Sequence, residues 1–395
     1  MMDFSEDLIR HENDPAVWGE AERRAMTTET EHRLRERAKR ALRERQGLRS
    51  PKTHDLFTRR CLIGPEDILV ENYPRKRPLA AFNPGAVLAE ERVYIFPRLI
   101  FDYYSYTSSV GVFELPVEGL LSGKVKAPVK TKIVLWPEKV WEAVKGCEDP
   151  RVCQAPDGFY ILYTGVGKRE ERGKEVHKSV LGFAELGEDF SVRRKGFFSV
   201  AGSEGGFVPG NKDSAFIQLR GEKATMLTRP SFWELPDARL EPLFSLLELE
   251  PPKRYLPDMC WRAEANLKEL TIPEDTLEPI LAPEPWEYKV GWSTNTVRVS
   301  QDEYLVGWHG VLKEDLSYRD GLALVDGEGK LLAVSDYLLA PKGLAEEYGD
   351  RPLVIFGDGL ILYQDHLIWI GGVSDYSIGV FTAKLGDVLA LLRRV

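Results

Sequence analysis

The sequence predicts an all-β fold, a five-bladed β-propeller with an N-terminal helical extension. Two observations predict it. A hairpin pattern of two apolar strands around a short turn occurs five times, and polar residues stand at both ends of every copy. Antiparallel strands return to where they started, so both polar ends of a hairpin share one sheet edge and five such edges make one rim.

The elements follow in chain order. Residues Thr28 to Gln46 read as a helix: Thr27 or Thr28 caps it, Glu29 and Glu31 sit in its first turn, and Gly47 stops it. Its apolar stripe is thin, with Leu34, Ala38, Ala41 and Leu42 at helical spacing. The helix is a candidate homo-oligomer contact or a lid over the site; the plainer alternative is packing on its own chain. We divide the chain into the extension, 1–60, and the propeller, 61–395.

The first hairpin runs from Asn83-Pro84-Gly85 through the turn Ala89-Glu90-Glu91 to Pro97-Arg98. The second opens at Gly146-Cys147-Glu148-Asp149-Pro150-Arg151, turns at Pro156-Asp157-Gly158 and ends at Tyr163-Thr164. The third runs from Asn211-Lys212-Asp213 to Thr228-Arg229, the fourth from Ser293-Thr294-Asn295 to Trp308-His309, and the fifth from Gly357-Asp358-Gly359 to Ile370-Gly371. β-Branched and aromatic residues flank each turn, as hairpins require. A third strand follows at Val110–Leu115, Val180–Ala184, Gly321–Val325 and Ile378–Thr382. Starts near 83, 149, 213, 294 and 358 give a long period, which suits four-stranded blades with generous loops.

Composition narrows the function. A net charge of −9 argues against a general nucleic-acid binder. The four cysteines Cys61, Cys147, Cys153 and Cys260 have neither metal-type spacing nor the density of a disulfide framework. The start of the chain lacks a basic and apolar leader, and no apolar run is long enough to span a membrane. A cytoplasmic protein without membrane or nucleic-acid partners is expected. The six histidines are scattered, so no metal is expected, and no glycine-rich phosphate loop or nucleophile elbow is present.

Asp149 is the sharpest catalytic candidate. A carboxylate at the inner end of a strand, fixed by Pro150 and walled by apolar residues, is placed to have a raised pKa and act as a general acid. Capping a turn before proline is the plainer role. Glu148 is expected on the opposite face, by strand alternation. Arg98, Arg151, Lys212, Arg229 and His309 converge from several units and suit an anion such as phosphate or a cluster of sugar hydroxyls. The competing reading pairs them with Asp213, Asp358 and Asp375, and for Arg151 it is the stronger one. Tyr103, Tyr104, Tyr106, Tyr163, Trp292, Trp308, Tyr318 and Tyr376 lie nearby, and only a minority of them should touch ligand.

Taken together, these residues resemble glycoside hydrolase family 130, the inverting β-mannoside phosphorylases and β-mannosidases. The resemblance rests on Gly64-Pro65-Glu66-Asp67, Phe82-Asn83-Pro84-Gly85-Ala86, Glu148-Asp149-Pro150-Arg151, Asn211-Lys212-Asp213, Trp308-His309-Gly310-Val311, Tyr318-Arg319 and Gly371-Gly372-Val373-Ser374-Asp375. It implies that Asp149 is the general acid, acting through the sugar's 3-hydroxyl. It further implies that Asn83, Arg98, Lys212, Asp213 and Asp375 hold mannose, and that Arg229 and His309 face inorganic phosphate as co-substrate, with no other cofactor. The expected partner is a small oligosaccharide.

Phosphorolysis needs one protein carboxylate; inverting hydrolysis needs a second as base, with Glu204, Asp320 and Asp358 as candidates. Thr228 and Val208-Pro209-Gly210 stand where phosphorylases of the family commonly carry His and Arg, and Trp308 where tyrosine is frequent. A phosphorylase releasing mannose 1-phosphate is expected ahead of an inverting β-mannosidase. A non-catalytic propeller scaffold is a further alternative. The three-carboxylate propeller hydrolases rank last, because Asn83 replaces the aspartate base they need.

Overall fold

The computed structural model describes residues 29–171, 174–203, 205–234 and 254–395. It is mostly β, and its strands form five antiparallel units. Unit 1 comprises Ala80–Ala89, Arg92–Ile100, Ser108–Pro116 and Val129–Leu135. Unit 2 comprises Gly146–Ala155, Gly158–Glu171, Lys174–Gly187 and Val192–Phe197. Unit 3 comprises Gly210–Arg220, Lys223–Ser231 and Cys260–Asn266, the last edged by Thr271–Pro273 and Glu278–Leu281. Unit 4 comprises Glu287–Arg298, Glu303–Leu312, Tyr318–Asp326 and Leu331–Val334. Unit 5 comprises Ile355–Tyr363, His366–Val373 and Ser377–Lys384.

The fourth strand of unit 5 comes from the other end of the chain. Thr58–Ile63, which straddles the expected 60/61 boundary, pairs with Ser377–Lys384 and ties the early chain to its last unit. The first strands pack side by side in a ring: unit 1 on 2, 2 on 3, 3 on 4, 4 on 5 and 5 on 1. All five hairpins read from the sequence are present.

Each first strand is interrupted by a bulge at the residue that marked the repeat. Pairing shifts between Phe82 and Gly85, Glu148 and Arg151, Lys212 and Ala215, Trp292 and Thr296, and Gly357 and Gly359. In the first three units the bulged residue adopts a left-handed backbone, with φ of 43° at Asn83, 49° at Asp149 and 52° at Asp213. Asn and Asp tolerate that region better than other side chains, which explains their use here. A bulge breaks the alternation of faces and re-aims a side chain. Three of the bulged residues, Asn83, Asp149 and Asp213, line one cavity. Gly372 makes room for one of them, since a Cβ there would collide with the Asn83 side chain.

The N-terminal helix, Glu29–Glu44, lies on its own chain. Leu34, Ala38 and Ala41 are buried in the apolar core shared by units 2, 3 and 4, with Leu42 packed against it. Arg33 and Arg37 reach Glu274 at 2.7 and 2.9 Å. This corrects the expected oligomer contact: burial within the chain leaves no apolar stripe to dock on a partner or to act as a lid. After the helix, Arg49 makes a buried two-pronged ion pair with Glu287 (2.7 and 2.8 Å), and Glu284 accepts the backbone N–H groups of Gly47, Leu48 and Arg49. Both carboxylates border unit 4, so the segment is tied to that unit by charge as well as by packing. The expected cap at Thr27 or Thr28 lies outside the described residues. Among those residues, no helix is long and apolar enough to cross a membrane.

Candidate functional site

The bulges of units 1, 2 and 3 open into a cavity of about 310 Å³. Its lining contains all eight residues singled out as catalytic or ligand-binding: Asn83, Arg98, Asp149, Lys212, Asp213, Arg229, His309 and Asp375. Units 1 and 2 supply one end. There the Arg98 guanidinium bridges two carboxylates, with Nη1 3.0 Å from Asp149 Oδ1 and Nη2 2.8 Å from Glu148 Oε1. Asn83 Nδ2 donates to the same Asp149 oxygen at 2.9 Å, and Ser108 Oγ holds Arg98 Nε at 2.8 Å.

Glu148 was expected to face away, yet it lines the cavity beside Asp149. The reason is local: the bulge and the positive φ at Asp149 cancel the alternation that would separate neighbours on a straight strand.

Electrostatics reverse the expectation for Asp149. Burial alone would raise its pKa, but Arg98, Arg151 and the hydrogen bond from Asn83 outweigh burial and hold it below the usual carboxylate range. Burial and the neighbouring Asp149 push Glu148 up, against the pull of Arg98. Asp375 is pushed up to about 6, by burial first and then by Asp149, against Arg98 and Arg351. Of the three carboxyls at this end, Glu148 and Asp375 are thus the ones pushed toward the protonated form and Asp149 the one held from it.

Units 3 and 4 supply the other end. Arg229 Nε lies 2.9 Å from Asp213 Oδ2, off-axis for a hydrogen bond, and Nη1 lies 3.5 Å from Asp258. His309 is buried; Nδ1 meets Ser293 Oγ at 3.1 Å and Nε2 stands 3.8 Å from Asp213. Burial and the cations Arg229, Lys289, Arg151 and Lys212 push its pKa well down, so the imidazole is neutral. Arg151 lies beneath the cavity, 2.9 Å from Asp358 and 3.6 Å from Asp213, the structural ion pairing expected of it.

Three cations of the lining are differently placed. Among the described residues, no carboxylate lies within ion-pair distance of Lys212, Lys289 or Arg351. Lys289 and Arg351 both stand over the Tyr318 ring, at 5.4 and 5.2 Å from its centroid. Burial, then repulsion from Arg229, lowers the Lys289 pKa to about 8.

The sequence reading missed Lys145, Lys289 and Arg351. Lys289 occupies the first strand of unit 4, a few residues before its bulge, and an aligned repeat could have flagged it. Arg351 stands in the loop before unit 5, where no periodicity points. Among the aromatic residues, Tyr163, Trp292 and Trp308 are core, Tyr106 and Tyr318 line the cavity, and Tyr103, Tyr104 and Tyr376 are exposed. The Tyr163 hydroxyl is held 2.6 Å from the buried Glu142. Of the carboxylates considered as hydrolytic bases, Asp320 and Asp358 are fully buried outside the lining, and Glu204 lies outside the described residues. Thr228 is locked between Asn211 Oδ1 and Ser214 Oγ, each 2.9 Å away.

Several solved structures share this fold. One is a β-1,2-mannobiose phosphorylase from Listeria innocua in complex with β-1,2-mannobiose (18% identity, 86% of this chain and 97% of that one, TM-score 0.59). Another is the mannose phosphorylase MPT-4 from Leishmania mexicana in complex with a phosphate ion (11% identity, 93% and 98%, TM-score 0.50). A third comes from work on family 130 glycoside hydrolases that target β-1,2-mannosidic linkages in Candida mannan (14% identity, 82% and 93%, TM-score 0.53). No curated protein sequence matches. The family model described as β-1,4-mannooligosaccharide phosphorylase matches residues 47–240 and 257–394, so the chain belongs to glycoside hydrolase family 130.

Proposed function

We propose that this protein is a phosphorylase that cleaves β-mannosides with inversion and releases mannose 1-phosphate, and that its ring of five units is a five-bladed β-propeller. The observation that carries the choice of phosphate over water is the cation cluster of Lys289 and Arg351 around Tyr318. Contributed by unit 4 and the loop before unit 5, it lines the same cavity as Asp149 of unit 2, a cavity in which an inverting hydrolase would need a carboxylate base. Two cations that, among the described residues, have no carboxylate within ion-pair distance suit a phosphate dianion. Three of the four lining carboxyls have cation partners: Glu148 and Asp149 share Arg98, and Asp213 is held by Arg229, while the fourth, Asp375, is assigned to the mannose.

In this reading Asn83, Arg98, Lys212, Asp213 and Asp375 hold the mannose. Arg229 and His309 back the phosphate, with Lys289 and Arg351 in direct contact. A phosphate oxygen attacks the anomeric carbon, the glycosidic C–O bond breaks, and the departing oxygen takes a proton from Asp149 through the mannose 3-hydroxyl. Asp149 must first be protonated. Sugar hydroxyls that draw Arg98 and Asn83 away remove the contacts that keep it ionised. No cofactor beyond phosphate is required.

The deciding experiment incubates the protein with a panel of β-mannosides, with and without phosphate, and measures both sugar products. Mannose 1-phosphate formed only with phosphate is the expected result. Free mannose at an equal rate without phosphate moves the protein to the hydrolase branch, and no product from any mannoside returns it to the scaffold reading.

A further inference from the structure

We propose that Asp320 is a positioning residue that acts through Ser293 to fix the tautomer of His309, so that the ring presents an N–H and not a lone pair to phosphate. The inference rests on the phosphate reading above and deepens it. A neutral imidazole carries one ring proton, and the partner of one nitrogen decides whether the other is a donor or an acceptor. His309 lies in the second strand of unit 4, with Ser293 on the strand before it and Asp320 directly opposite on the strand after it. Nδ1 meets Ser293 Oγ at 3.1 Å, and Ser293 Oγ meets Asp320 Oδ1 at 3.3 Å. All three side chains are buried, and of the three only His309 lines the cavity.

The members of this chain are held in place. Tyr318 stacks on the His309 ring at 5.4 Å, Phe356 meets it edge-on at 4.8 Å, and a Cβ on Gly291 would come within 2.7 Å of its Cε1. Arg151 holds the serine, its Nε donating to the Ser293 carbonyl at 2.7 Å. The hydrogen bonds can then run in either of two directions. If Asp320 is a carboxylate, it accepts the Ser293 O–H, Ser293 accepts from Nδ1–H, and the Nε2 lone pair is left for the cavity. If Asp320 is a carboxylic acid, its O–H donates to Ser293, Ser293 donates to Nδ1, and the ring proton is on Nε2. Two observations select the second direction. Among the described residues no cation lies within ion-pair distance of Asp320 and its Oδ2 has no hydrogen-bond partner, so a charge there would be buried without compensation. Burial pushes the Asp320 pKa well up, with the Ser293 hydroxyl opposing it. At the other end of the chain Nε2 stands 3.8 Å from Asp213 Oδ2, an oxygen that lacks an aligned donor and would repel a lone pair. The N–H directed in this way adds a donor to those of Lys289 and Arg351 without adding a charge to a crowded set of cations, whereas a lone pair would repel a phosphate dianion.

The test joins nitrogen-15 NMR of protein labelled at histidine, with the His309 signals identified by their loss in His309→Gln, to calorimetric titration of inorganic phosphate and of mannose. The parent should show the His309 proton on Nε2. Asp320→Asn, whose amide N–H can stand in for the acid O–H, should keep the proton on Nε2 and keep phosphate affinity within about threefold. Ser293→Ala breaks the chain: the tautomer with the proton on Nδ1 should appear in the spectrum, and phosphate should bind about three- to tenfold more weakly while mannose affinity is unchanged. A parent with the proton on Nδ1, an Asp320→Asn protein that moves it there, or a Ser293→Ala protein with the parent's spectrum overturns the proposal. So does a Ser293→Ala loss that is equal for phosphate and mannose, which is the mark of a merely structural role. A parent that carries the proton on Nε2 and binds no phosphate overturns the phosphate reading instead, and the control of the tautomer by Asp320 and Ser293 then stands on the spectra alone.

Discussion

Replacing Lys289 and Arg351 is the most direct probe of the anion end. Among the described residues neither has a carboxylate within ion-pair distance, so each charge is available to a ligand. A hydrogen bond to a charged group is worth about 1.5–3 kcal/mol, which is about 10- to 150-fold in affinity. Lys289→Met and Arg351→Ala should therefore each raise KM for phosphate by that factor in steady-state phosphorolysis, while KM for the mannoside moves less than about threefold. Proton linkage adds a second reading. Lys289 has its pKa lowered to about 8, so it is charged below that pH and loses its charge as pH rises through it. KM for phosphate should stay low up to pH 8 and then climb toward about tenfold per unit, and Lys289→Met should abolish the climb. Unchanged phosphate KM in both variants, or a rise matched by the mannoside KM, would refute the placement of the nucleophile.

Two further outcomes follow from the other end and from the scaffold. Asp149→Asn should keep the fold and lower turnover at least about a hundredfold, whereas Glu148→Gln should lower it less and shift the pH profile of kcat/KM, because the carboxyl that shares Arg98 with the acid is lost; identical profiles for Glu148→Gln and the parent would remove Glu148 from the proton path. Arg49→Met leaves Glu287 and Glu284 buried without their cation and should cost about 3–5 kcal/mol, visible as a lower Tm in thermal unfolding. Retention of the parent Tm would mean that the carboxylates are neutral or hydrated in the folded protein.

The repeat was legible in the sequence because a hairpin leaves a local record: alternating apolar residues, a turn, and polar ends at fixed spacing. The cavity was legible for the same reason, since Asn83, Asp149 and Asp213 occupy one position of that repeat. Two things left no such record. The first is the backbone at the bulge, which turned Glu148 to the same side as Asp149; period-two reasoning holds only while the strand is regular. The second is what surrounds a charge. Asp149 was expected to carry a raised pKa from its apolar neighbours, but Arg98, distant in sequence, sets its protonation state, and Arg229 is largely neutralised by Asp213 and Asp258. Burial of Leu34, Ala38 and Ala41 depended likewise on where the core of units 2, 3 and 4 would present a face.

One device, repeated, accounts for how this site is built. A bulge interrupts each first strand at one position of the repeat, and the five units differ mainly in what they place there: an amide at Asn83, carboxylates at Asp149, Asp213 and Asp358, a hydroxyl at Thr294. The next layer decides which of these act. Arg151 closes over Asp358 beneath the cavity and removes it from chemistry, Arg229 claims Asp213, and Thr294 turns its hydroxyl to the carbonyl of Asn295 and the N–H of Gly307. Asp149 is left with Arg98 and Asn83, two donors that can equally serve sugar hydroxyls. It is the one bulge carboxylate whose partners a bound sugar can draw off, which is why the acid falls to unit 2 although the backbone repeats around the ring.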